Sequence, residues 1–334
     1  MRRPALGAGR EFEILRRIIA RQPVVAALAD RLFVGPGDDC VVLRAGTIAL
    51  SVDMSIEDVH FRRDWLTARG IGYRGTVAAL SDLAAMAATP VGVLASIAAS
   101  GEDPSSLVDE IAAGVEEAAT TAGASVLGGD LARTPGPIIL DIAVLGDAPE
   151  PVARDGARPG DALWVTGSLG GARAAVDAWL AGEAPNEEAA NAFRRPVARV
   201  REARWLARRR LTNALIDLSD GLVGDAGHIA AASGVGIVLA RDRVPVHAGA
   251  AAYARDRERA LALALGGGDD YELCFAAPAG AVEAVAGEFM SAFGIALTHV
   301  GDVVEGGEVL VRAPDGILRP PAAASFSHFT GPDS

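Results

Sequence analysis

The chain has 334 residues, half of them hydrophobic, and a formal net charge of -12, which is material enough for two domains with their own cores. An acidic balance excludes nucleic acid and anionic membranes as partners, because both require a basic face. All 31 side chains in the lysine-plus-arginine total are arginine, which removes a Walker A loop, a protein-kinase β3 lysine and a Schiff base, and leaves metals, backbone N–H groups and arginine for phosphate chemistry. The two cysteines, Cys40 and Cys274, are too few for a disulfide framework or a thiolate zinc site. Both are expected to be reduced structural thiols of a cytoplasmic protein. Glu11 and Glu13 interrupt the start of the chain before a signal-peptide core forms, and no apolar run is long enough to span a bilayer.

In chain order, residues 12–20 place apolar side chains at helical spacing and predict an amphipathic helix. Residues 41–43 and 48–52 predict a hairpin through 44–47, bringing Asp39 and Asp53 near each other. The stretch from Ser51 to Phe61 then offers Asp53, Glu57, Asp58, two serines and His60, read as an acidic loop beyond the strand. Residues 72–88 predict a helix ended by Pro90 and carrying Ser81 and Asp82. Strands at 91–99, 124–127 and 138–145 surround a helix over 104–122, and Gly128-Gly129-Asp130 is expected to be a loop after its strand. Near residues 148–151 the composition becomes loop-like, which divides the chain into domains 1–149 and 150–334. The second half alternates strands at 161–166, 214–217, 236–239, 273–276 and 309–312 with helices at 172–180 and 281–293. Residues 194–210 read as one arginine-rich helix with a solvated face. The expected class is α+β, two α/β domains in which a sheet carries acids at its ends.

Oxygen donors this dense suit a hard cation, and Mg2+ binds through a few carboxylates while bridging to phosphates. Each fragment also has an ordinary reading. Gly37-Asp38-Asp39 alone is common turn chemistry. The segment from Asp53 to His60 could be an exposed acidic loop, and Asp82 could simply be paired with an arginine. Gly128-Gly129 would let backbone approach a phosphate, whereas Gly167 to Gly171 lacks the dinucleotide pattern and reads as structural. In Asp217-Leu218-Ser219-Asp220-Gly221 a helix cap accounts for Ser219 or Asp220 but not for Asp217 as well. His228 reads as a packed histidine.

Taken in order, these fragments together with Leu80-Ser81-Asp82-Leu83-Ala84-Ala85-Met86, Arg154-Asp155-Gly156-Ala157-Arg158-Pro159-Gly160-Asp161 and Gly267 to Leu273 resemble the thiamine-monophosphate kinases. That family shares its fold with aminoimidazole ribonucleotide synthetase and selenophosphate synthetase. The resemblance runs nearly end to end. It implies ATP-dependent phosphorylation of thiamine monophosphate, Mg2+ ions as cofactor, and a homodimer. It places metal ligands on Asp39, Ser51, Val52, Asp53, Asp82, Asp130, Asp217 and Asp220, with Asp53, Asp82 and Asp130 central to catalysis. Nucleotide contacts would fall on Gly129, Asp130, Arg154 and Ser219, and substrate contacts on His60, Asp269 and Phe326. Three positions depart from the family pattern: Val52 replaces a hydroxyl residue, Asp269 is one methylene shorter than the usual glutamate, and Phe326 lacks the polar atom of tyrosine or tryptophan. Another ATP-dependent synthetase of the superfamily, or a non-catalytic nucleotide-binding module, remains open on the residues alone.

Overall fold

The computed structural model describes residues 32–34, 41–43, 46–313 and 315–321. The helix expected over 12–20, together with Asp39, Cys40 and Phe326, lies outside the described residues. The first sheet contains β1 (Leu32–Val34), β2 (Val41–Leu43), β3 (Ile48–Ile56), β4 (Thr89–Ser100), β5 (Ser125–Thr134) and β6 (Ile139–Asp147), in the order β1-β2-β3-β6-β4-β5. The expected hairpin forms, with Val41 opposite Leu50 and Leu43 opposite Ile48.

Two acidic stretches expected as loops are strand instead. β3 continues through Ile56, so Ser51, Asp53 and Ser55 alternate with Leu50, Val52 and Met54 across the two faces of the sheet. Likewise Gly128-Gly129-Asp130 lies inside β5, which pairs in parallel with β4 and sets Asp130 opposite Ser96.

Helices α1 (Ala68–Ala85) and α2 (Ser105–Thr121) cover the inner face of this sheet. Thr67 starts α1, its hydroxyl accepting the Gly70 N–H at 3.1 Å. The two helices cross without room for side chains: a Cβ at Gly72 would lie 1.9 Å from the Ile111 carbonyl oxygen, and one at Gly114 2.0 Å from that of Arg69. This close crossing leaves α1 buried over most of its length and fixes its last turns, which carry Ser81 and Asp82.

The second sheet orders β13-β12-β9-β11-β7-β10-β8, from β7 (Asp161–Thr166), β8 (Ala214–Asp217), β9 (Gly236–Ala240), β10 (Leu273–Pro278), β11 (Leu297–Val304), β12 (Val309–Arg312) and β13 (Leu318–Arg319). Its helices are α3 (Gly171–Leu180), α4 (Glu187–Arg194), α5 (Val200–Arg208), α6 (Leu222–Ser233), α7 (Ala248–Ala254), α8 (Arg257–Gly266) and α9 (Ala286–Phe293). One face packs Val165, Ile216 and Leu239 with Ile229 of α6 and Leu261 of α8. The other packs Trp164, Leu215 and Phe275 with Leu206 of α5 and Phe289 of α9. The single arginine-rich helix expected over 194–210 is two, α4 and α5, separated around Pro196, where proline has no N–H to give. A third cluster joins the halves, uniting Phe61, Trp65 and Ile142 with Ala172, Ala175 and Phe193.

Candidate active site

At this junction lies a cavity of about 630 Å3, within the range of small-molecule sites. Its acidic wall is built from Asp53 on β3, Asp82 on α1, and Asp217, Ser219 and Asp220 at the end of β8; Asp269 joins them. Its apolar wall includes Phe61, Trp65, Val176, Leu180 and Phe193. The elements are tied by adjacent residues of α1. Ser51 Oγ donates a short hydrogen bond to Asp82 Oδ2, while Ser81 Oγ donates to Asp217 Oδ2 at 2.6 Å. Strands from the two sheets are thereby held to one helix end.

Burial pushes the Asp53 carboxyl up to about 6; the Arg74 guanidinium opposes that shift, and the charges of Asp217 and Asp269 add to it. Asp217 is also raised by burial, against the Ser81 hydrogen bond and the charge of Arg154. Carboxylates crowded in this way are a donor set of oxygens that fits a hard divalent cation. Beside them, Asp220, Asp225 and His228 offer donor atoms within 4.8 Å of one another. Burial, with Arg154 adding, lowers His228 to about 4, so its imidazole is neutral at physiological pH.

His60 reaches the cavity from the turn after β3. Its Nδ1 accepts the Ile56 N–H at 3.0 Å, which puts the proton of the neutral ring on Nε2. The turn is pinned by Glu57, which pairs with Arg63 at 2.5 Å and accepts the Ile138 N–H at 2.9 Å.

The loop after α8 is laced to the loop after β8. Asp269 N–H donates to the Ser219 carbonyl at 2.9 Å and Tyr271 N–H to that of Leu218 at 2.8 Å. Gly268 is needed there, since a Cβ would come within 2.4 Å of the Ser219 oxygen. Asp269 and Tyr271 take left-handed backbone at φ 69° and 51°, conformations that persist in a non-glycine residue only where the surroundings enforce them. The three acids of this loop have separate partners. Asp269 pairs with Arg74 at 2.8 Å. Both oxygens of Asp270 accept the Gly170 N–H at 2.9 Å, so the turn at 167–171 is held by protein groups. Glu272 takes Thr166 Oγ1 at 2.5 Å and Arg199 Nε at 2.9 Å, which buries one of the arginines expected on a solvated face.

The structure thus brings together Ser51, Asp53, His60, Asp82, Asp217, Ser219, Asp220 and Asp269. Val52 borders the cavity, but the residue is 62 % exposed and its side chain alternates to the face opposite Asp53, so only its carbonyl could serve as a ligand. Arg154 is buried and acts on Asp217 and His228 by charge. Gly129 and Asp130 stand apart. Met54, Asp141, Ser96 and Asp130 oppose one another strand by strand, which puts Asp130 on the outer face, across the sheet from Asp53. With Gly129 it borders a separate hollow of about 300 Å3.

Sequence reasoning missed Arg74, Tyr271, Phe193 and the stacked pair Trp65 and Trp179, whose ring centroids are 5.1 Å apart. Arg74 had a signal, as a charged residue among the small and apolar positions of α1. The tryptophan pair had none, because its partners are joined only by the packing of the two halves.

Residues 37–148 match the family described as AIR synthase related protein, N-terminal domain, and residues 158–313 match the corresponding C-terminal domain family. The chain is 31 % identical over 338 aligned residues to the thiamine-monophosphate kinase of Salmonella typhimurium, covering 96 % of this chain and 99 % of that protein. It is 34 % identical to that of Caulobacter vibrioides, covering 91 % and 86 %. Among solved structures, one described as AaThiL complexed with AMPPCP and TMP superposes with a TM-score of 0.80 at 27 % identity, covering 97 % of each chain.

Proposed function

Because the chain belongs to the thiamine-monophosphate kinase family, we propose that it transfers the γ-phosphoryl group of ATP to thiamine monophosphate, giving thiamine diphosphate and ADP. The observation that carries this reading is the convergence of Asp53, Asp82 and Asp217, from a strand of each sheet and the helix between, on one cavity with an aromatic wall. The acids suit a polyphosphate with divalent ions. The aromatic side chains suit the flat heterocycles of the acceptor.

A phosphate monoester has its second pKa near 6 and is largely a dianion at neutral pH, so the acceptor is already a nucleophile. No general base is required, and what remains is alignment and the mutual repulsion of two anions. Asp53, Asp82, Asp217 and Asp220, with Ser51 and the Val52 carbonyl, would hold Mg2+, which when bound supplies the positive charge that lets the phosphates meet. Ser219 and Arg154 serve the nucleotide, and His60, Asp269 and Phe326 the acceptor, by direct in-line transfer without a phosphoenzyme. Asp39 would complete this ligand set, whereas Asp130, across the sheet from Asp53, stays outside it.

The outer face of the first sheet leaves Leu50, Val52, Met54 and Leu94 exposed, and no helix among the described residues covers it. A second copy seated there would make a homodimer, with Gly129 and Asp130 at the interface. We place the domain boundary at residues 149 and 150 and the protein in the cytoplasm. Among the described residues no helix is long and apolar enough to cross a membrane.

Product analysis after incubation with ATP, Mg2+ and thiamine monophosphate tests the reading. Thiamine diphosphate and ADP in equal amounts are expected. ATP binding with neither product would refute it.

A further inference from the structure

Arg74 projects from the middle of α1 to the seam between the acidic and aromatic walls, where its side chain is only 5 % exposed. Its guanidinium carbon lies 4.1 Å from the centre of the Phe193 ring, on α4 of the other domain, and 5.8 Å from that of Tyr271. Nη2 pairs with Asp269 Oδ1 at 2.8 Å. The same oxygen accepts the Tyr271 hydroxyl at 3.0 Å, while Nη1 stands 3.5 Å from that hydroxyl. Both ties therefore fall on one oxygen of a carboxylate that borders the cavity and is 38 % exposed. The backbone is fixed as well, because Asp269 and Tyr271 both sit in left-handed conformations held by Ser219 and Leu218.

An arginine that only neutralised a buried acid would not need this arrangement, since Asp269 is open enough for water to solvate it. A guanidinium that is itself buried and sandwiched between rings is rigid, and a rigid donor fixes the orientation of its acceptor. We propose that Arg74 is a positioning residue for the acceptor: with Tyr271 it clamps Oδ1 of Asp269 so that Oδ2 is presented to the cationic ring system of the incoming phosphate ester. This rests on the reading of Asp269 as an acceptor contact. The short aspartate makes the clamp matter more, since it cannot reach for its ligand as a longer side chain would.

Steady-state kinetics with ATP and thiamine monophosphate varied separately test this on Arg74→Met, Tyr271→Phe, Asp269→Asn and the double variant Arg74→Met/Asp269→Asn. Arg74→Met keeps the aliphatic bulk and should raise KM for thiamine monophosphate about tenfold, with KM for ATP unchanged. Asp269→Asn should do the same, the double variant should be no worse than the poorer single one, and Tyr271→Phe should show a smaller rise. Arg74→Lys, which keeps the charge, should recover part of the loss. Equal losses toward both substrates with a lowered melting temperature would overturn the proposal, as would multiplying effects in the double variant. If Asp269→Asn leaves KM for thiamine monophosphate untouched, the acceptor contact itself falls, and a wild-type protein without turnover would defeat the kinase reading and this inference together.

Discussion

The two sheets solve the same problem differently. The second is covered on both faces by helices, and its strands β7 to β10 are buried almost throughout. Among the described residues the first is covered by helices on its inner face alone, and its outer face shows Leu50, Val52, Met54 and Leu94. A sheet closed on both sides carries its function at strand ends, and the Asp217 to Gly221 loop does so. A half-covered sheet can divide labour between faces: β3 points Asp53 inward to the cavity and Val52 outward to whatever covers it. The contrast shows that one strand can offer a polar face and an apolar face through its period of two.

The inner face carries the largest expected effect. Asp53→Asn should lower turnover by about a thousandfold or more while leaving the fold intact, as read by product formation and circular dichroism. Near-normal turnover would place the chemistry elsewhere.

Next comes the helix layer that makes this face inner. Gly114→Ala would drive a Cβ to 2.0 Å from the Arg69 carbonyl oxygen and should cost about 3 kcal/mol in denaturant unfolding. An unchanged midpoint would mean that the two helices are not held at that distance.

The metal-free protein should also change in stability with pH through Asp53. Burial raises Asp53 from 3.8 to about 6, so the folded state favours its protonated form. That stabilisation is complete below about 3.8 and is lost as pH rises through about 6. Metal-free Asp53→Asn should therefore match the wild type near pH 4 and exceed it above pH 6, by about 3 kcal/mol at most. A wild type more stable than the variant at pH 7.5 without metal would contradict the assignment.

The outer face should respond more mildly and in a different observable. Val52→Glu and Leu94→Glu put charge on exposed positions, so unfolding should shift by about 0.5 kcal/mol or less, while sedimentation should report monomer in place of dimer. A dimer that survives both substitutions would locate the interface elsewhere.

Much of this was legible in the sequence. The hairpin of β2 and β3 and the helix carrying Asp82 followed from periodicity and Pro90, and the Asp217 to Gly221 and Gly267 to Asp270 fragments lead to the cavity, while Gly128-Gly129-Asp130 does not. What failed had physical reasons. Asp53 to Ile56 and Gly128 to Asp130 look like loops because they are polar or glycine-rich, yet β3 shows one face to a polar cavity and β5 lies on a sheet edge, where polarity does not argue against strand. Arg199 was assigned to solvent because its partner, Glu272, is remote in sequence. Arg74 carried the signal of a charge in a buried helix, but its meaning depended on Asp269 and Phe193, which only the folded chain brings to it.

In the proposed reaction, acids from both sheets act together to hold divalent cations against two phosphates. Crystals grown with Mn2+ and a non-hydrolysable ATP analogue, measured for anomalous scattering, test it directly. Manganese should be found coordinated by Asp53, Asp82 and Asp217; a bound nucleotide with no metal at these carboxylates would contradict it.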